Sequence, residues 1–97
     1  MTTYVLAPRA RDDLGEIWDH TADHWGVDQA DRYVRLLSAA CSDLASGRRH
    51  GRSAAAIRAN YLRHAVASHV IFYRPHGDGP IEVVRILHQR MDPDRHL

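Results

Sequence analysis

Two amphipathic stripes that meet at Gly26 limit this chain's fold more than any other feature. Ala10, Leu14, Ile17, Trp18, Thr21 and Trp25 recur at spacings of three and four, which lines them up along one side of an α-helix. Ala30, Tyr33, Val34, Leu37, Cys41 and Leu44 do the same for a second helix. Pro8 suits the start of the first, because a helix leaves its opening N–H groups unpaired and proline has none to lose. Gly26 ends that helix in the position glycine favours. Asp28 can cap the second helix, and Gly47 stops it. With only a two-residue link between them, the helices must fold back as an antiparallel hairpin.

The flanking segments have a different period. Thr2–Leu6 is β-branched and aromatic, a short first strand. Residues 47–56 read as a loop. Asn60–Val66 and His69–Arg74 are strand-like and joined by Ala67-Ser68, and residues 75–80 form a turn rich in Gly and Pro. Ile81–His88 is the last strand, and its apolar residues fall on both faces, which predicts a central strand covered on both sides. Gln89–Leu97 is a polar tail without an evident helix signal. The fold class is α+β in the order β-α-α-β-β-β, an antiparallel sheet with the helical hairpin on one face. At 97 residues the chain is expected to form a single domain over 1–97, with a modest core.

Composition excludes several classes. Hydrophobic residues make up 44% and charged residues 26%, the mix of a globular domain and not of a disordered chain, collagen or coiled coil. Apolar runs reach only four residues, as at Ala54–Ile57 and Val70–Tyr73, against the ~20 a membrane helix needs. The first residues lack the pattern of a signal peptide, and one cysteine cannot form an internal disulfide, so a reducing cytoplasm is expected. Neither a GxGxxG nor a Walker loop is present. Cys41 falls in an apolar stripe and is expected to be a small core residue. His20 and His24, with Glu16 a turn earlier, have a spacing that can hold a divalent metal, but a fourth ligand is missing. A solvated helix face is the reading, with no metal or cofactor expected.

Charge is divided along the chain. Residues 1–43 hold eight acids and four Arg, whereas residues 44–97 hold nine Arg and four acids, and no acid lies between Asp43 and Asp78. Arg48, Arg49 and Arg52 share one loop, while Arg58, Arg63, Arg74, Arg85 and Arg90 fall on or beside strands, interleaved with Tyr61, Phe72 and Tyr73. Such a face can bind nucleic acid, since the planar fork of Arg matches phosphate. It can equally bind an acidic protein, or simply keep sheet edges soluble. Trp18 and Trp25 stand seven apart; both can pack in the core, or one can line a groove for another chain's helix, bordered by Tyr33 and Leu37.

The last strand runs Val84-Arg85-Ile86-Leu87-His88-Gln89-Arg90-Met91-Asp92-Pro93. Hydrophobics and Arg leading into Leu-His-Gln-Arg and then Asp-Pro resemble the ParE toxins of the RelE/ParE superfamily of type II toxin–antitoxin modules. Leu14-Gly15-Glu16-Ile17-Trp18, Trp25-Gly26-Val27-Asp28-Gln29-Ala30 and Ser68–Arg74 resemble the family's first helix, helix–helix turn and third strand, in order and over nearly the whole chain. The resemblance implies the β-α-α-β-β-β fold. It implies a non-enzymatic toxin that inhibits DNA gyrase and is neutralised by a ParD-type antitoxin, with DNA contacted only through the antitoxin or the gyrase complex. Candidate target contacts are Arg85, His88, Gln89, Arg90 and Arg63. Candidate antitoxin contacts are Trp18, Trp25, Tyr33, Leu37, Arg48, Arg49, Arg52 and Arg58.

The alternative branch, RelE, cleaves messenger RNA on the ribosome with Lys, Arg and a late Tyr. This chain has no Lys and no Tyr after Tyr73, which leaves His88 as the acid or base of a nuclease reading. A degenerate module that only binds its antitoxin is a third possibility.

Overall fold

A computed structural model describes residues 3–97. Thr2, expected at the start of the first strand, lies outside the described residues. The elements are β1 (Tyr4–Leu6), α1 (Pro8–Trp25), α2 (Val27–Ser46), β2 (Arg52–Ser53), β3 (Leu62–Val66), β4 (His69–Arg74), β5 (Ile81–His88) and α3 (Pro93–His96). The α+β order expected from the sequence holds, with β2 and α3 added.

Gly26 alone joins α1 to α2. Its φ of 91° is readily adopted only by glycine, and it reverses the chain within one residue. The second helix therefore begins at Val27, and Asp28 lies inside its first turn without capping it. There its charge still favours the positive end of the helix. Gly47 ends α2 in the left-handed conformation, φ 81°, as its position predicts.

The sheet order is β1-β5-β4-β3-β2. It is antiparallel from β2 through β5, and β1 adds a parallel edge against β5. The β2 strand falls in the stretch expected to be a loop; two residues are too few to show a period. Between Phe72 and Tyr73 the β4–β5 register slips, so that Phe72 faces Arg85 but Tyr73 faces Val83. This β-bulge accounts for the mixed apolar pattern of β5: Val83 and Ile86, three apart, both reach the core under the helices.

That core is built from Ile17 of α1, Leu37, Cys41 and Leu44 of α2, and Ile71, Tyr73, Val83 and Ile86 of the sheet. Burial pushes the Cys41 thiol up to about 11, which makes it a packing residue without thiolate chemistry. Strand alternation sends Val70, Phe72 and Leu87 to the opposite face, where they cluster with Ala54 under Ile57, Tyr61 and Leu97. The C-terminal tail thus covers part of the second face. It also contains a helical turn: Asp92 Oδ1 accepts from the Asp94 N–H at 3.0 Å, and Pro93 takes the first helical position. Asp followed by Pro is a helix-start signal, visible in the sequence and here used for a single turn. Among the described residues no helix is long and apolar enough to cross a membrane.

Candidate functional site

The reversal at Gly26 brings the end of α1 and the start of α2 over the β3–β4 turn and the end of β5. Between them lies a groove of about 420 Å³ lined by residues that include Trp25, Gln29, Tyr33, His69 and His88. Trp25 is 76% exposed. Trp18, one stripe position earlier, is half-buried, and its indole Nε1 donates to Asp31 Oδ1 at 2.9 Å. The two tryptophans therefore divide their roles: Trp18 ties the hairpin together and Trp25 presents its ring to the groove.

Tyr33 organises the groove floor. Its hydroxyl oxygen accepts from the Ser68 N–H at 3.2 Å and lies 2.6 Å from His69 Nδ1. The arrangement that satisfies both has the Tyr33 O–H donating to Nδ1, which leaves the neutral ring protonated on Nε2. Burial first, then the neighbouring His88, lowers the His69 pKa to about 4; Asp13 opposes the shift and His20 adds to it. The His69 and His88 rings meet edge to face, 5.3 Å between centroids. The His20 and His24 rings stack on one another at 4.2 Å, and among the described residues no cluster of His, Cys, Asp and Glu has the geometry to hold a metal ion.

A second feature is a row of side chains across the sheet. The registers Arg52↔Arg63, Arg63↔Phe72 and Phe72↔Arg85 place these four residues in one line. Arg63 lays its guanidinium over the Phe72 ring at 5.5 Å. Arg85, at the far end, is neutralised by Asp13 Oδ2 and Oδ1 at 2.8 and 2.9 Å, and also donates to His96 O at 2.8 Å. The hydrogen bonds to Asp13 raise the Arg85 pKa against the burial that lowers it. At the near end a groove of about 730 Å³ is lined by His50, Arg52, Ser53, Arg63, His64 and Ala65.

The structure gathers some of the expected site residues and scatters others. Trp25, Tyr33 and His88 share one groove, and Arg52 and Arg63 share the other. Arg48 is exposed, Arg49 pairs with Asp43 at 3.2 Å, and Arg58 donates to the Leu97 carbonyl at 2.6 Å. Gln89 and Arg90 are exposed just past β5, with the Gln89 N–H bonded to Ser68 O. Leu37 is corrected: it is fully buried, because its stripe faces the sheet, and it offers no surface to a partner. His69 and Asp13 were not singled out. His69 opens a strand as an ordinary polar residue would, and the Asp13–Arg85 pair spans 72 residues, beyond any local pattern.

Comparison with known proteins agrees with this architecture. Residues 4–93 match the family described as "ParE toxin of type II toxin-antitoxin system, parDE". The chain is similar to Toxin ParE1 of Mycobacterium tuberculosis, 51% identical over 94 residues that cover 97% of this chain and 96% of the relative. It is also similar to Toxin ParE1 of Caulobacter vibrioides, 40% identical over 97 residues that cover 100% and 99% of the two chains. A solved structure titled "Chromosomal ParDE TA system from P. aeruginosa" shares the fold, with a TM-score of 0.76 at 20% identity over 91% of this chain and 96% of that one. A match across nearly the whole chain, together with the same fold, places it in the ParE toxin family of type II toxin–antitoxin systems.

Proposed function

We propose that this chain, the toxin of a ParDE-type module, acts by inhibiting DNA gyrase and is neutralised by a ParD-type antitoxin. The observation that carries this reading is the family match over residues 4–93. The antitoxin lays an amphipathic segment into the Trp25 groove, with the exposed indole as anchor, and its acidic residues meet Arg48, Arg49 and Arg58. Gln89 and Arg90, exposed just past β5, are the target contacts, together with His88 at the strand's end. The toxin acts by binding and not by turnover. RNA cleavage needs a positioned acid and base with cations at the phosphate. The chain has no Lys and no Tyr after Tyr73 to supply that acid and base, which supports a poison over a nuclease.

The test is direct. Purified toxin stalls gyrase supercoiling and promotes DNA cleavage in a reaction without ribosomes, and it leaves ribosome-bound messenger RNA intact. Messenger cleavage beside normal supercoiling refutes the reading. A His88→Ala variant sharpens it, because a nuclease using that imidazole loses ~10²–10⁴-fold in rate, whereas a poison loses one contact.

A further inference from the structure

Arg52 and Arg63 face each other across the β2–β3 ladder. Like charges placed directly opposite in a sheet are destabilising. Elsewhere the fold neutralises its sheet arginines: Asp13 takes Arg85 and Glu82 takes Arg74. Among the described residues no carboxylate pairs with Arg52 or Arg63, and no acid occurs in the sequence between Asp43 and Asp78. Position is nevertheless tightly specified. Gly51 packs so closely on Tyr73 and the Arg63 carbonyl that a Cβ there would collide with them, and its N–H donates to the Tyr73 hydroxyl at 2.9 Å. That contact sets Arg52 into register. Phe72 holds Arg63 from below. Two guanidinium groups on a positioned backbone, without a carboxylate partner among the described residues, thus border the 730 Å³ groove.

The groove's other walls identify what it takes. His50, Ser53 and His64 add polar groups, and Ala65 is the only apolar side chain among the lining residues. A peptide strand added to a sheet edge gains specificity from pockets for alternate side chains, and here there are none. Single-stranded nucleic acid is held by stacking on broad aromatic rings, and the lining has no Phe, Tyr or Trp, only the small imidazoles of His50 and His64. A ligand that offers only regularly spaced anions fits both facts. We infer that the Arg52–Arg63 groove is a direct binding site for the phosphate backbone of duplex DNA. This inference deepens the gyrase reading: the duplex is the segment gyrase holds, and the toxin touches it as well as the enzyme.

The test uses the toxin alone with a short fluorescent duplex, in the absence of gyrase and antitoxin. Binding is expected at low salt, with log K falling linearly against log salt. R52A/R63A lowers the slope by about 2, since each phosphate neutralised contributes ~0.9, and weakens binding roughly tenfold or more at fixed salt. Its melting temperature changes little, because the lost cover over Phe72 offsets the repulsion removed. R32A/R35A, which changes exposed arginines of α2, leaves the slope unchanged. In NMR titrations the His64 pKa, lowered in the free protein by burial and by Arg49, climbs when the duplex binds. Equal affinity for wild type and R52A/R63A overturns the proposal. So does binding of polyglutamate at this groove with no binding of DNA. DNA binding that follows these rules while gyrase supercoiling is unaffected leaves the site standing and overturns the gyrase reading instead.

Discussion

Asp13 grips the Arg85 guanidinium with both carboxylate oxygens, and one of them, Oδ2, also accepts the backbone N–H of Ile86 at 2.9 Å. The second contact explains the first. Strand β1 ends at Leu6 opposite Val83, so β5 runs on past its neighbour with an unpaired backbone edge. Helix α1 crosses there and supplies a carboxylate in place of a strand carbonyl. The side chains of Arg85 and Asp13 are only 14% and 9% exposed.

Breaking one side of such a buried pair leaves the other charged and unsolvated. Asp13→Ala is expected to cost ~3–5 kcal/mol, measured by urea denaturation. Arg85→Ala costs a similar amount, and the double variant costs less than the two together, because the pair acts as a unit. Additive losses in that cycle contradict the pairing. Toxicity lost in Arg85→Ala is therefore interpretable only beside its stability.

The helices and the three long strands were legible in the sequence because each carries a period. Leu14, Ile17, Tyr33 and Leu37 announce their helix faces, and the Gly-rich turn before Ile81 brackets β5. The bulge at Phe72/Tyr73 was visible only as a blurred alternation. The two-residue β2 is too short to show a period and was not legible. The site divides in the same way. Trp25 stood out as a large aromatic in a small domain, but which of two tryptophans is exposed depends on how tightly Gly26 turns. Asp13 was indistinguishable from Asp12 beside it until the fold brought Arg85 near.

The His69 environment links stability to acid. Its folded pKa is lowered to about 4 from 6.5, so the unfolded chain binds this proton more readily than the native one. Stability from this site is fully present above about pH 6.5 and drains away as pH falls toward 4. The melting temperature is expected to drop across that window, and His69→Asn, which keeps a polar group beside Tyr33, flattens the drop. A His69 ring signal titrating at its ordinary value in NMR contradicts the buried hydrogen-bonded geometry.

Trp25 and Trp18 separate binding from folding. Trp25→Ala removes an exposed ring and leaves the melting temperature nearly unchanged, while antitoxin affinity falls by ~2–4 kcal/mol if the indole is the anchor. Trp18→Ala loses packing and the Asp31 hydrogen bond, so stability falls instead. Association with the antitoxin slows as salt rises, because screened arginines steer less. Calorimetry and stopped-flow measurements read the two effects apart, and unchanged affinity in Trp25→Ala removes the groove from the antitoxin interface.

The tail is attached at three places: Leu97 packs on the second face of the sheet, its carbonyl accepts from Arg58, and the His96 carbonyl accepts from Arg85. Deleting residues 93–97 uncovers Phe72 and Leu87 and unties two arginines. The deletion is expected to cost roughly 2–3 kcal/mol, from partial burial of one leucine and the lost bonds to charged groups. Loss of toxicity on truncation would then mix folding with function. Gln89→Ala and Arg90→Ala avoid the mixture, because both side chains are exposed and make no contact with the core. Each is expected to keep the melting temperature and antitoxin binding while weakening gyrase inhibition. If both retain full inhibition while the truncation abolishes it at a temperature where it remains folded, the target contact lies in the tail beyond Arg90 and not at Gln89 or Arg90.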